Sequence, residues 1–151
     1  MNQVEMQIIR PLPNRDSDWS RDWNLYKPFW EGTKEGKLLV QECTATEKKI
    51  WPPRFLSPHE PGAEVRWVEV GRTRGVIYTF NIVHRSFYPY FNDQVPYALV
   101  VVDVGDGVRF LGNTVGMDPT KVKIGMEMEA VFEKVDDEVT LVQWKPVNGG
   151  Y

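Results

Sequence analysis

A single cysteine, Cys43, excludes an intrachain disulfide, so sulfur cannot staple this fold. Two histidines, His59 and His84, are too few for an ordinary metal or general-base constellation on their own. Positive charge is also short: 18 Lys and Arg against 21 Asp and Glu leave a formal net charge of -3. That balance lacks the field that non-specific nucleic-acid binding needs, although it leaves room for a local basic patch. No window approaches the roughly 20 apolar residues that span a bilayer. The start, MNQVEMQIIRPLPNRD, has no cationic region followed by an apolar one. Neither a membrane segment nor a secretory signal is therefore expected, and the expected location is cytoplasmic. There is no GxSxG elbow, no P-loop and no GxGxxG after a strand.

What is present is a 151-residue chain with 42% apolar residues and six tryptophans. The length suits one compact domain, or a small barrel with an N-terminal appendage. Trp packs cores but is also enriched at interfaces. Pro11 and Pro13 make residues 1–16 an extended arm. From Ser17 to Gly36 the pattern is helical, with Trp19, Trp23, Tyr26, Phe29 and Trp30 on one aromatic face. Pro28 interrupts that run, which predicts two short helices or a kink, with Pro28 in the first turn of the second helix. Gly32 and Gly36 mark its end. A strand follows over Lys37 to Cys43, then a polar loop at 44–49. Pro52, Pro53, Pro58 and Pro61 make the next stretch a rigid loop. Boundaries after Gly36 and near Gly62 divide the chain into 1–36, 37–62 and 63–151.

The last segment reads as strand and turn throughout. EVRWVEV alternates, GVIYTFNIVH and YALVVVDV are β-branched and aromatic, and Gly105-Asp106-Gly107 supplies the positive-φ residues of a hairpin. MEMEAVFEKV alternates again before Asp136-Asp137 turns into EVTLVQWKPV. Five or six antiparallel strands with short turns suit a small closed barrel, of which the OB fold is the five-stranded form. The fold class expected is mainly β, with short N-terminal helices and a ribbon-like hairpin before the barrel. Residues 85–96 form a long aromatic loop.

Catalytic groups are hard to assemble from this inventory. Cys43 is a nucleophile only if a base lowers its pKa, and a buried thiol at a strand end is the simpler reading. His84 at a strand end reads as a hydrogen-bonded barrel residue, and Asp103 and Asp106 as turn residues. No catalytic residue is assigned.

The ordered motifs PFWEG (28–32), GKLLVQEC (36–43), WPPRFLSP (51–58) and GRTRGVIYTFNIVHR (71–85) carry a resemblance. It continues through PYALVVVDVGDGVRFLGNTVG (96–116) and KIGMEMEAVFE (123–133). The chain resembles the rubredoxin-like zinc-ribbon plus OB-fold proteins, the domain of unknown function 35 family. Members usually carry two C-x2-C pairs around a PPR spacer, forming a closed zinc site. Laid on this sequence, the four ligand positions become Cys43, Thr46, Ser57 and Glu60. Thr and Ser hydroxyls stay protonated and ligate zinc poorly. The expectation is a ribbon without metal and no tightly bound cofactor, held by its prolines and by packing around Trp51, Phe55 and Leu56. A relic site of Cys43, His59 and Glu60 is the alternative.

The resemblance also implies a role. Similar proteins accompany thiolase-like enzymes, steroid side-chain aldolases and MaoC-type enoyl-CoA hydratases. There the partner supplies the catalytic residues, and the small protein bridges subunits and shapes the CoA channel. The implied function is a non-catalytic accessory subunit of a thiolase- or aldolase-type complex, with an acyl-CoA thioester as shared ligand. The alternatives are a hydratase subunit and an OB-fold binder of single-stranded nucleic acid. Arg54, Arg72, Arg74, His84 and Arg85 are the candidates for CoA phosphates. Trp19, Trp23, Tyr26, Phe29, Trp30, Phe87, Tyr88, Tyr90 and Phe91 are the candidates for docking a partner protein.

Overall fold

The computed structural model describes residues 20–148. Trp19 and the arm at 1–16 lie outside the described residues. Helix α1 runs over Ser20–Lys34 as one element, with Pro28 inside it. This corrects the expected pair of helices: Pro28 costs one backbone bond, and packing of the aromatic face outweighs that loss. Its end follows the sequence. Gly36 takes φ 71°, while Lys37 N–H bonds Gly32 O and Gly36 N–H bonds Thr33 O. That pair of bonds is the Schellman closure that a left-handed glycine permits. Gly32 serves differently, because a Cβ there would stand 2.7 Å from Leu39 Cγ on the following strand.

Strands β1 (Leu39–Cys43), β2 (Lys49–Ile50) and β3 (Val65–Glu69) form one antiparallel sheet in the order β2-β1-β3. The strand at 65–69, expected to begin the barrel, instead pairs with β1, Leu39 to Glu69 through Cys43 to Val65. The chain therefore changes sheets after Glu69 rather than near Gly62.

The second sheet contains β4 (Arg74–Val83), β5 (Tyr97–Gly105), β6 (Val108–Asn113), β7 (Glu127–Lys134) and β8 (Thr140–Pro146). Its order is β6-β5-β4-β7-β8. A parallel bridge between Thr114 and Trp144 closes its two ends, and Val115 N–H donates to Trp144 O at 2.8 Å. Five antiparallel strands closed by one parallel contact make an OB-type barrel. Strict alternation in β5 sends Ala98, Val100, Val102 and Val104 inward. They meet Val108, Phe110, Met128 and Trp144. Gly112 lets the Trp144 indole approach, since a Cβ there would sit 2.8 Å from its ring and 2.7 Å from Val142 O.

The two sheets and the helix share one core, joined by three aromatic rings. Phe29 of α1 lies 4.8 Å from Trp51 and 6.0 Å from Phe110, and Trp51 lies 5.0 Å from Phe110. Each ring comes from a different part of the fold, so burial of Phe29, at 6% exposure, ties all three together. It also corrects one docking candidate, because Phe29 is a core residue and is not available to a partner.

Candidate functional site

Three of the four inherited ligand positions remain together. Cys43 ends β1 with no exposed surface. Its N–H donates to Lys48 O and its carbonyl accepts from Glu47 N–H, closing a tight knuckle in which Glu47 takes φ 58°. Hydrogen bonds from the Ser57 hydroxyl first, and the Thr46 hydroxyl second, lower the Cys43 thiol to about 7, against burial, which raises it. The wiring explains why both hydroxyls donate. Ser57 Oγ accepts from His59 N–H at 3.1 Å, and Thr46 Oγ1 accepts from Lys48 N–H at 3.4 Å. Each hydroxyl proton is then left for the sulfur. Glu60 is exposed, and His59 directs its Nε2 to Lys49 O at 3.2 Å. Among the described residues no three His, Cys, Asp or Glu side chains are gathered within reach of one metal ion, Cys43, His59 and Glu60 included.

Beside this knuckle, the same sheet carries a buried charge network. Glu42 accepts from Lys49 and from Arg66, whose Nε stands at 2.8 Å. Lys49 chiefly, then Arg66, holds the Glu42 carboxyl below the usual carboxylate range. Gln41, also buried, accepts Arg54 N–H at 2.6 Å and fixes the proline loop against β1. Trp51 and Pro53 face the interior, whereas Phe55 and Leu56 are 57% and 74% exposed. The expected packing around Trp51, Phe55 and Leu56 holds for Trp51 and is corrected for the other two: the bond from Arg54 N–H to Gln41 ties the loop to β1, and Phe55 and Leu56 look outward.

Between the knuckle, the proline loop and the β5–β6 hairpin lies a cavity of about 650 Å³. Lys48, Lys49, Arg54 and His59 line one side, Ile50, Trp51 and Pro58 form an apolar wall, and Asp106 and Gly107 come from the hairpin. The five candidates for CoA phosphates do not converge. Arg54 lines this cavity, and Arg72 lies over the same hairpin, where a Cβ at Gly105 would meet its Cζ at 3.4 Å. Arg74 opens β4 and pairs with Glu129 at 3.5 Å. His84 and Arg85 follow the last residue of β4, roughly 30 Å away along a ten-residue strand. Lys48 and Lys49 were missed in the sequence, where the signal was a basic pair directly before IWPPR, and His59 was named there only as a relic zinc ligand.

The aromatic loop lies at that far end. Tyr90 and Phe91 sit 5.0 Å apart and Phe91 packs on Tyr97 at 4.9 Å, so they organise the loop from within. Ser86 Oγ both donates to Tyr88 O and accepts Tyr88 N–H at 3.0 Å. That turn presents Phe87 at 93% and Tyr88 at 60% exposure. On α1, Trp23 stacks on Trp30 at 6.0 Å and Tyr26 meets Trp51 edge-on at 5.9 Å, all half-buried on the rim of the core. OB proteins bind oligonucleotides across the face of their second and third strands. Here β5 and β6 turn Leu99, Val101 and Leu111 outward beside an Asp103–Arg109 ion pair at 3.1 Å. The same face carries the exposed Tyr78, with the Arg109 guanidinium 3.7 Å from its ring centroid, so one aromatic ring stands among the aliphatic side chains.

A helix and a three-stranded ribbon built onto a five-stranded OB barrel define the class of protein. The family model for the ChsH2 C-terminal OB-fold domain matches residues 67–133. The chain is 34% identical over 111 residues to a DUF35 domain-containing scaffold protein of Methanocaldococcus jannaschii, covering 72% of this chain and 77% of that one. It belongs to the DUF35 family. It is also 31% identical over 143 residues to a probable enoyl-CoA hydratase alpha subunit of Thermomonospora curvata. That match takes in 93% of this chain but only 41% of the relative, so the chain spans about two fifths of the hydratase subunit's length. Among solved structures, a chain of the Ltp2-ChsH2(DUF35) aldolase superposes with a TM-score of 0.70 at 29% identity, over 91% of this chain and 98% of that one. Among the described residues no helix is long and apolar enough to cross a membrane.

Proposed function

We propose that this chain is a non-catalytic accessory subunit of an acyl-CoA C–C bond-forming or bond-cleaving complex, whose partner is a thiolase-fold protein. The observation that carries the reading is the likeness, over nearly the whole of both chains, to the DUF35 chain of an aldolase complex. The side chains support it. The buried Cys43 is committed to two hydroxyls, His59 to a backbone carbonyl, and His84 stands exposed at the far end of β4. No nucleophile is paired with a base in this arrangement. Phe87 and Tyr88 are presented on a loop braced by its own bonds, which suits hot-spot anchors for a partner's pocket. The ribbon works without zinc in this reading, because protonated hydroxyls stand where thiolates are needed.

The name of the Thermomonospora relative supports a second version, in which the partner is a hydratase and the same barrel serves a different acyl-CoA chemistry. Gentle recovery of the tagged chain from its host separates the two. A thiolase-like protein in stoichiometric amount supports the first, a hydratase-like protein the second, and recovery of the chain alone refutes both. Changing Phe87 and Tyr88 to Ser removes the partner from the pull-down while leaving the chain's own melting curve unmoved. Metal analysis of the same sample checks the ribbon, since a stoichiometric zinc would contradict the metal-free reading.

A further inference from the structure

We infer that the aromatic groove at the far end of the barrel is the seat of this chain's own proline segment, Arg10-Pro11-Leu12-Pro13, which precedes the described residues. The inference does not rest on the acyl-CoA reading, since it concerns how the chain closes on itself. The groove has a volume of about 310 Å³. It lies between the aromatic loop, the start of β5, the end of β6 and the paired strands β7 and β8.

Its walls are rings. Tyr90, Phe91 and Tyr97 stand in a row, with 5.0 and 4.9 Å between successive centroids, and Pro96 and Pro119 lie beside them. The amides around the rings are engaged within the protein. Gln143 Oε1 accepts Asn113 N–H at 2.8 Å, Asn113 Nδ2 donates to Ala98 O at 3.2 Å, and Gln94 Nε2 donates to Tyr90 O at 2.8 Å. Such a groove offers ring faces more than hydrogen bonds to a visiting backbone. It suits a ligand that asks for few of them, and proline has no backbone N–H to satisfy. Prolyl segments in the polyproline form dock on aromatic-lined grooves in this way.

Charge and reach select this segment as the occupant. Among the described residues Glu133 of β7 is the one charged group lining the groove, and it accepts from Gln143 Nε2 at 3.3 Å. A carboxylate has several acceptor positions, so a guanidinium adds to that bond without displacing it. Residues 10–15, RPLPNR, hold two arginines and no acid. The tether is long enough. The end of α1 lies by β7, where a Cβ at Gly36 would stand 4.0 Å from Phe132, the residue before Glu133. The fifteen residues of α1 rise roughly 22 Å. Ten residues from Ser20 back to Arg10 cover about 33 Å when extended. The segment therefore has the length to return along the helix to the strands that carry Glu133 and Gln143. Seated there, it lies against Tyr90 and Phe91, which organise the loop presenting Phe87 and Tyr88.

The test uses the full chain, NMR, and a free peptide of residues 8–15, IIRPLPNR. In the wild type, cross-peaks are expected between the rings of Pro11 and Pro13 and those of Tyr90 and Tyr97, at every protein concentration. Pro11→Ser/Pro13→Ser should abolish them and move the amides of residues 90–97, 113–115 and 133. Neither position belongs to the core cluster, so the melting curve of the barrel should stay where it is. The free peptide should bind that variant about tenfold or more tightly than it binds the wild type, where the tethered copy competes at an effective concentration on the order of millimolar. Arg10→Glu should also release the segment, and Glu133→Lys added to it should seat it again, a rescue that lost packing alone would not give. Missing cross-peaks, equal peptide binding by wild type and variant, or a charge swap without rescue would each overturn the seat. Cross-peaks found only between differently labelled chains would give the groove to a second copy and overturn it too. A partner recovered in the pull-down leaves all of these outcomes open, so this inference and the proposed function fail separately.

Discussion

The barrel and the ribbon are both antiparallel sheets in one short chain, and they are held by different forces. Inside the barrel, Val100, Val102, Met128 and Trp144 are fully excluded from solvent and touch one another. In the ribbon, β1 buries Gln41, Glu42 and Cys43 in succession, each with a polar partner. A sheet of five, two and five residues per strand has little apolar area to bury, and small β units of that size rarely stand without a staple. Hydrogen bonds and an ion-pair network hold β1 where apolar packing holds the barrel. The lesson is that a short sheet can close on a buried thiol when neighbouring hydroxyls donate to it.

The largest break in the comparison is made in the barrel. Trp144→Ala removes the biggest fully buried side chain, on the strand whose backbone bridge to Thr114 closes the sheet. The expected loss is about 3–5 kcal/mol, read by denaturant titration, with the amides of β4 to β8 losing exchange protection together. A loss under about 1 kcal/mol would mean that the closure is not where barrel stability lies.

Gly112→Ala comes next, and it perturbs the same region from the opposite direction. Its added methyl would meet Val142 O at 2.7 Å and the Trp144 ring at 2.8 Å. Since one neighbour is backbone, the strain cannot be relieved by a rotamer change, and a cost of about 1–3 kcal/mol follows for overpacking. Combining it with Trp144→Phe, which shrinks the ring, should recover part of that loss; simple additivity of the two costs would refute the contact as its cause.

How much of this was legible in the residues depends on the same division. Barrel strands announce themselves because one face is wet, so YALVVVDV and MEMEAVFEKV alternate and Gly105-Asp106-Gly107 names its own hairpin. The destination of EVRWVEV was not legible: alternation reports a half-buried strand but never its partner, and β1 claims it through long-range pairing. Pro28 misled for a related reason, since a local breaker was overridden by the burial of Phe29 on the core. The candidate cations scattered because charge in a sequence carries no direction. Only the fold shows that Arg54 lines the cavity at the β5–β6 hairpin while Arg85 follows the end of β4.

The ribbon breaks at acid pH. Lys49, then Arg66, depresses the Glu42 carboxyl, and a group with a lowered folded pKa stabilises above its unfolded value and loses that contribution as pH falls through the folded one. Protection of the β1–β3 amides should therefore decline below about pH 4, before the barrel amides respond. Glu42→Gln should show that weakened protection already at neutral pH. Simultaneous loss of both sheets in the wild type would show that the ribbon has no separate weakness.

The smallest effect is the most specific to the ribbon, and it concerns the thiol. Cys43 is held at about 7 by Ser57 and then Thr46, whereas a free thiol titrates near 8.5. The folded value is the lower, so the thiolate's contribution is complete above the unfolded pKa and is lost as pH falls through about 7. Ribbon protection should rise modestly from neutral pH toward 9 and then level. Ser57→Ala removes the stronger donor, so the thiolate absorbance should titrate at a higher pH and the rise should shrink, with the barrel unmoved. Thr46→Ala should do the same more weakly, and Thr46→Ser should restore the donor. Reactivity supplies the cross-check: a thiolate at neutral pH is ordinarily quick to alkylate, but Cys43 has no exposed surface, so its modification should wait on opening of the ribbon. If Ser57→Ala leaves the thiol titration where it was, hydroxyl donation is not what closes the knuckle, and the two sheets are held more alike than their side chains indicate.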